Sequence, residues 1–158
     1  MKHRGTILAC LLVLYLLPGR PETKIGSLKP VEVLSVFIEG SRICVATDTK
    51  DSGTGITLTA ALEDMKEASS GEIFLETVSY LLVTEETKFL LEQLSGILRP
   101  GTLVVLSAGQ VEPDQVAEYL AVHKTKCTLG DCAGGQIPFP KLMTAGERYY
   151  LVQPESDG

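Results

Sequence analysis

The stretch "TLVVLSAG", residues 102–109, is apolar almost throughout until it ends in small residues. A short apolar run of this kind, rich in Val and Leu, is typical of a strand that is buried on both faces. Such strands belong to parallel sheets with helices on their two sides. The stretch therefore predicts an α/β protein in which the neighbouring segments alternate between helix and strand.

The segments before this strand show that alternation. Residues 31–38 and 41–47 are two β-rich runs that meet at Glu39-Gly40, where glycine allows a tight hairpin turn. A helix follows, with one apolar face and a cap at Thr57. Residues 73–83 then indicate a buried strand, and Thr84 caps a second helix that ends at 99–101. The residues predicted to face inward on these two helices are Leu58, Ala61, Leu62, Met65, Leu90, Leu91, Leu94, Ile97 and Leu98.

The segments after it complete the pattern. Pro113 and Asp114 begin a third helix, with Val116, Leu120 and Ala121 facing inward. Residues 141–152 predict a second hairpin. The fold class is thus α/β (α+β mixed): one domain over 31–153, with a mixed β-sheet, parallel βαβ crossovers, about three helices and terminal hairpins. We expect Leu62, Leu81, Leu94, Val105 and Leu120 to be buried in one core. Residues 154–158 are a polar tail.

The N-terminal segment predicts export. Fifteen uncharged residues, Gly5 to Gly19, follow a basic start, and as a helix they would span about 22 Å, less than the hydrocarbon core of about 30 Å. Residues 1–20 are therefore interpreted as a signal peptide or a short membrane anchor, and residues 21–30 as a tether. The body of the protein is expected outside the cytoplasmic membrane, either secreted or held there by this segment.

Composition limits the function. The chain is 44% hydrophobic, which is enough for a packed core, and its net charge is −6. An acidic domain without clustered Lys or Arg lacks the cations that phosphate contacts require, so nucleic acid is excluded as a partner.

The sequence carries no complete catalytic motif, and no catalytic, cofactor-binding or metal-binding residue is predicted. The segment Ser52–Gly55 precedes a helix and could offer amides to an anion, but a flexible loop is the favoured interpretation. Residues 107–110 follow the buried strand, where open α/β sheets bind ligands. Ser107 has no identifiable base partner, so a plain turn is favoured there.

The cysteines leave three alternatives open. His123, Cys127, Asp131 and Cys132 lie within ten residues of one another. Unpaired thiols are favoured, a Cys127–Cys132 disulfide comes next, and a zinc site, which normally needs closer cysteine pairs and four ligands, comes last. Cys44 alternates within the second strand and is expected in the core.

The pattern "GTGITLTAALEDMKEASSGEIFLETVSYLLVTEETKFLLEQLSGILRPGTLVVLSAGQVEPDQVAEYL" resembles the first domain of the spore-germination receptor C-subunits, the Ger(x)C lipoproteins. The resemblance covers roughly residues 31–120. The chain departs from that family in lacking its lipid-linked cysteine after the apolar run and the histidine usual within the stretch that aligns with "FLETVSYLLV". The resemblance implies a non-enzymatic accessory role outside the membrane of an endospore-forming bacterium.

Two functions follow from these observations. The first is an extracytoplasmic accessory protein without catalysis that docks to another envelope or membrane protein. The second is a small exported enzyme or small-ligand-binding domain that uses the loops at Ser52–Gly55 and 107–110. A docking domain should expose an apolar patch, whereas an enzyme or ligand-binding domain should show a deep pocket where those loops meet.

Overall fold

The computed structural model describes residues 28–132, 138–146 and 148–154, which form nine strands and four α-helices. The strands are β1 (Leu28–Pro30), β2 (Val33–Glu39), β3 (Arg42–Thr47), β4 (Ser52–Gly55), β5 (Glu72–Phe74), β6 (Tyr80–Val83), β7 (Leu103–Ser107), β8 (Lys141–Ala145) and β9 (Arg148–Val152). The helices are α1 (Leu58–Ala68), α2 (Leu91–Ser95), α3 (Pro113–Val122) and α4 (Leu129–Cys132), with 3-10 helices at Leu75–Thr77 and Glu85–Leu90.

Seven strands form one mixed sheet in the order β4-β3-β2-β6-β7-β8-β9. The four central strands β2, β6, β7 and β8 run parallel, and antiparallel strands flank them on both sides. The short strands β1 and β5 pair in parallel as a second sheet. The predicted fold class, a mixed sheet with parallel crossovers and terminal hairpins, is confirmed.

The two faces of the large sheet carry separate cores. The first face, which includes Leu34, Leu81 and Val104, packs against α1, α2 and α4. The second face, which includes Val33 and Val105, packs against α3. The five residues predicted to form one core are all buried, but Leu62, Leu81 and Leu94 lie in the first-face cluster and Val105 and Leu120 in the second. The prediction was right about burial and wrong about a single core, because α3 crosses to the opposite face of the sheet.

The segment Ser52–Gly55 is strand β4, so the prediction of a flexible loop is wrong. It pairs with β3, from Ala46↔Ser52 to Ile43↔Gly55. Its glycines have a packing role: a Cβ on Gly53 would lie 2.3 Å from the carbonyl oxygen of Ala61, and one on Gly55 would lie 2.5 Å from the Ala61 nitrogen. Because glycine has no side chain, α1 lies directly against β4 at these two positions. A sequence pattern of small polar residues does not reveal this packing.

Two segments are less regular than predicted. The predicted strand 73–83 is interrupted by the 3-10 helix Leu75–Thr77, where the Thr77 hydroxyl accepts a bond of 2.9 Å from the Val31 N–H. The predicted helix after Thr84 begins as the 3-10 helix Glu85–Leu90 and becomes α-helical only in α2. The buried Thr87 side chain bonds to the carbonyl oxygen of Val36 at 3.0 Å and accepts the N–H of Thr84 at 2.9 Å. These side-chain bonds to the backbone compete with regular structure.

Smaller corrections concern single elements. Leu28–Pro30, at the end of the predicted tether, forms β1. Ile97 and Ala121 were predicted to face inward and are exposed. The first hairpin turns at Gly40 (φ +61°), with Glu39 and Arg42 as the last pair. Helix α4 was not predicted at all.

The predicted signal or anchor, residues 1–20, lies outside the described residues, as do most of the tether and most of the polar tail. Within the described ranges, no helix combines the length and apolarity that crossing a membrane requires.

Candidate functional site

A pocket of about 430 Å³ opens at the carboxyl ends of β2, β6 and β7. This edge is where open α/β sheets commonly bind ligands, because the loops that follow parallel strands converge there. Phe37, Ile38 and Leu106 give its wall an apolar lining, and Ser107 and Gln110 belong to the segment that the sequence singled out. Met143, from β8, forms the side nearest to the C-terminal hairpin.

The rim of this pocket is mainly acidic. Three carboxylates line it, from Glu39, Glu85 and Glu86, together with one amine, from Lys141. Glu85 forms an ion pair of 2.6 Å with Lys88. Within the described ranges, Glu39, Glu86 and Lys141 have no ion-pair partner. The pocket thus presents unneutralised negative charge above an apolar lining.

Ser107 is buried and its hydroxyl is used by its own turn. Its Oγ donates to the carbonyl oxygen of Gly109 and accepts the Gly109 N–H at 3.3 Å. This local turn, and no other hydrogen bond among the described residues, explains the position of the Ser107 side chain. The predicted plain turn at this position is confirmed.

A second cavity, of about 230 Å³, lies where Gln110 approaches β4. Ser52, Gly53 and Thr54 line it, so the two segments singled out in the sequence do meet there. The larger pocket takes in residues 107–110 but not β4. The deep pocket between the two segments that an enzyme or ligand-binding domain should show is therefore not what these two openings provide.

Cys44 lines the smaller cavity and is buried in strand β3, as the sequence predicted. Burial, with a smaller contribution from the negative charge of Glu39, raises the pKa of the Cys44 thiol above its ordinary value. A raised pKa keeps the thiol protonated at neutral pH, and a protonated thiol is a poor nucleophile.

The hairpin formed by β8 and β9 exposes apolar side chains on the first face of the sheet. Met143 and Tyr150 are directly opposite each other and each is 47% exposed, and Val152 beside them is 52% exposed. We call Met143, Tyr150 and Val152 the hairpin patch. The sequence did not predict this feature. Alternation in 141–152 indicates two faces for the hairpin, but it does not show which face the helices leave uncovered.

The opposite face of the hairpin is tied to α3. The backbone N–H of Leu151, on the outer edge of β9, donates to the Tyr119 hydroxyl at 2.8 Å. The Tyr149 hydroxyl donates to Gln115 Oε1 at 3.3 Å, and the rings of Tyr119 and Tyr149 are 6.0 Å apart. These contacts hold the hairpin in place while its other face stays open to solvent.

The residues considered as zinc ligands do not converge. His123 stacks on Tyr119, with ring centroids 4.0 Å apart, and its Nδ1 lies 2.9 Å from the Tyr119 carbonyl oxygen. Asp131 accepts a bond of 2.6 Å from the Thr128 hydroxyl. Across the described ranges, no group of three or more His, Cys, Asp or Glu side chains is placed to share a metal ion.

Cys127 and Cys132 form a disulfide in the structure, with Cα atoms 6.9 Å apart, so the prediction of unpaired thiols is wrong. The chain turns back at this point because α4 begins two residues after Cys127, and the Cys132 N–H donates to the Thr128 carbonyl at 3.1 Å. Both cysteines are buried in the first-face core.

Comparison with known proteins gave no match: no protein-family model, no characterised protein and no solved structure shows significant similarity to the chain.

Proposed function

We propose that this protein is a non-enzymatic, extracytoplasmic accessory protein that docks onto another envelope protein, with a link to sporulation or germination. The observation that carries the proposal is the hairpin patch. Apolar side chains grouped on one exposed face are a mark of protein interaction sites, whereas single exposed apolar residues are ordinary on any surface.

The position of the patch supports docking. It lies at the end of the sheet, beyond the helices that cover the first face. On the opposite side, hydrogen bonds from the Leu151 N–H to Tyr119 and from the Tyr149 hydroxyl to Gln115 fix β9 to α3. A partner would therefore meet a rigid surface, and little conformational entropy would be lost in ordering it. The basic start and apolar run before Gly19 support the extracytoplasmic location.

The test is site-specific photocrosslinking in cells that produce the full chain. A photoreactive residue replaces Tyr150 in one variant and Val122 in the other, because Val122 is apolar and 77% exposed on α3 but lies outside the patch. We expect position 150 to give one crosslinked product that mass spectrometry identifies as an envelope protein, and position 122 to give none. Equal products from both positions would contradict docking through the patch.

The location is tested separately. Protease added to intact protoplasts should digest the protein, because the body is expected outside the membrane. Complete protection until the cells are lysed would contradict export.

The second candidate function is a small exported ligand-binding domain or enzyme, and the observation that favours it is the pocket at the carboxyl ends of β2, β6 and β7. Its volume is in the range of small-molecule sites, which run to about 300–1,000 Å³. Docking is preferred because the hydroxyl of Ser107, the lining residue that the sequence singled out, is already hydrogen-bonded to its own turn.

A further inference from the structure

We infer that the pocket at the carboxyl ends of the parallel strands binds a lysine or arginine side chain of an extended partner segment, while apolar side chains of the same segment lie on the hairpin patch. The inference rests on the proposed docking function and specifies the chemistry of the partner.

The pocket and the patch form one continuous surface through Met143. This side chain lines the pocket and is paired across the hairpin with Tyr150. Lys141 lies two residues before Met143 on β8 and is paired with Val152, so all four side chains share the first face. Residues two apart on a strand are separated by about 7 Å, which is also the spacing of alternate side chains in an extended peptide. An extended segment can thus place successive side chains in the pocket and on the patch.

The interior of the pocket suits the aliphatic part of a long basic side chain. Phe37 and Leu106 are buried residues that present apolar surface to it, and Ile38 extends that lining. Lysine and arginine bury their methylene groups against apolar surface while the charged end reaches polar groups. An apolar lining below a polar rim matches that division of the side chain.

The rim selects the charge. Glu85 is paired with Lys88, so in the described part of the chain the rim leaves two carboxylates, Glu39 and Glu86, against one amine, that of Lys141, and these three groups carry a net charge of −1. A cationic end group would form charge-assisted hydrogen bonds to Glu39 and Glu86. An acidic side chain, or the headgroup of an anionic lipid, would meet net repulsion at the same rim. Charge complementarity therefore favours a basic protein segment over an acidic segment or a membrane surface.

The chain offers a direct spectroscopic reporter. It has three methionines, Met1, Met65 and Met143. Met143 lines the pocket, whereas Met65 is fully buried in α1 and serves as an internal control. The experiment uses the full chain, labelled with ¹³C at the methionine methyl groups and held in neutral detergent micelles. The probes are three acetylated, amidated peptides of sequence Val-X-Val-Leu, in which X is lysine, norleucine or glutamate.

We expect the lysine peptide to shift the Met143 methyl signal saturably and leave Met65 unchanged. The norleucine peptide, which keeps the aliphatic chain and lacks the amine, should bind at least about fivefold more weakly, and the glutamate peptide more weakly still. Combined Glu39→Gln and Glu86→Gln changes should reduce lysine-peptide affinity to that of the norleucine peptide. Glu118→Gln, on the exposed side of α3, is the matched control and should change nothing.

Equal affinity for the lysine and norleucine peptides would overturn the inference, as would the absence of any saturable shift at Met143. A Met143 signal that moves with protein concentration alone would mean that a second copy of the chain occupies the pocket and the hairpin patch. That result would also overturn the inference. The two proposals fail separately: if charge selectivity is absent but crosslinking at position 150 persists, docking stands and only the basic-segment inference falls.

Discussion

The two outer strands of the sheet, β4 and β9, are protected in the same way along their outer edges and differently on their faces. At each, a helix side chain accepts an outward backbone N–H: Asp64 of α1 bonds to the Thr54 N–H at 2.8 Å, and Tyr119 of α3 bonds to the Leu151 N–H at 2.8 Å. Free N–H groups on an edge strand invite pairing with another chain, and these two bonds block it.

The strands differ in how their faces are covered. At β4, α1 packs so tightly that Gly53 leaves no room for a Cβ, whereas the hairpin containing β9 leaves Met143, Tyr150 and Val152 exposed. The comparison indicates that α1 packs directly against the backbone of β4, whereas α3 contacts the hairpin that contains β9 on one face only and leaves the other face exposed. The C-terminal end of the sheet is therefore where a partner can bind without disturbing the core.

The largest effect should come from adding a side chain to β4 where α1 packs against its backbone. Gly53→Ala would place its Cβ 2.3 Å from the Ala61 carbonyl oxygen, and backbone cannot move aside as a flexible side chain can. We expect a loss in free energy of unfolding of about 3 kcal/mol or more, measured by urea denaturation. The matched control is Gly101→Ala, where nothing lies within 4 Å of the added Cβ. Equal stability of the two variants would show that α1 does not contact β4 as described.

The two hydrogen bonds at the edges should have intermediate and similar effects. Tyr119→Phe and Asp64→Ala each remove the acceptor of an outward N–H, and each should cost about 1 kcal/mol. The distinguishing measurement is hydrogen exchange: Tyr119→Phe should speed exchange at the Leu151 amide, and Asp64→Ala at the Thr54 amide. Glu63→Ala, next to Asp64 on the exposed side of α1, is the control and should affect neither amide.

Acid should lower the stability of the fold next to β4, because it protonates the Asp51 carboxylate. Burial would raise the pKa of the Asp51 carboxyl, but hydrogen bonds from Thr49, Lys29 and Ser69 and the charge of Lys29 outweigh it and lower that pKa. Because the folded-state pKa is lowered, the stabilisation is fully present above the unfolded-state value of about 4 and is lost as pH falls through the folded-state pKa. The urea midpoint of the wild type should fall more steeply below about pH 4 than that of Asp51→Asn. Parallel pH profiles would rule out this contribution.

The smallest effect on stability is expected at the patch. Tyr150→Thr and Val152→Thr place threonine, which suits a strand, in β9 and remove exposed apolar surface, so the free energy of unfolding should change by less than about 0.5 kcal/mol. Binding of the partner should decrease strongly. It is measured with a photoreactive residue at position 143, because position 150 is now changed, and the crosslinked product should be lost. A large loss of stability instead would mean that these side chains are structural.

The difference between β4 and β9 also explains what the sequence could predict. The β2–β3 hairpin, α1 and β7 follow local patterns such as the Leu58 to Met65 apolar face, and these were predicted. Strand β4 was not, because Ser52 to Gly55 resemble a loop until β3 and α1 are in place beside them.

The same reasoning applies to the candidate site. Residues 107–110 were singled out because loops after parallel strands often bind ligands, but a plain turn was favoured there and no site residue was predicted. The acidic rim of the pocket brings together Glu39 and Glu86, which belong to different strand ends. The exposure of the hairpin patch depends on where the helices stop, which no local pattern in 141–152 encodes. Long-range packing accounts for both omissions.

The parallel pairing at the centre of the sheet has a consequence for how quickly the chain reaches this structure. Val33 pairs with Tyr80, whereas the hairpins β2–β3 and β8–β9 join residues close in sequence. Pairings between distant residues form slowly because a long loop must close first. The two hairpins can therefore form early, and the apolar β2, with Val33 to Val36 wholly buried in the final fold, must wait for β6. During that interval the apolar strands β6 and β7, which have no hairpin partner, and the unpaired edge of β2 are open to misassembly, and a chaperone that binds apolar strands would meet them first.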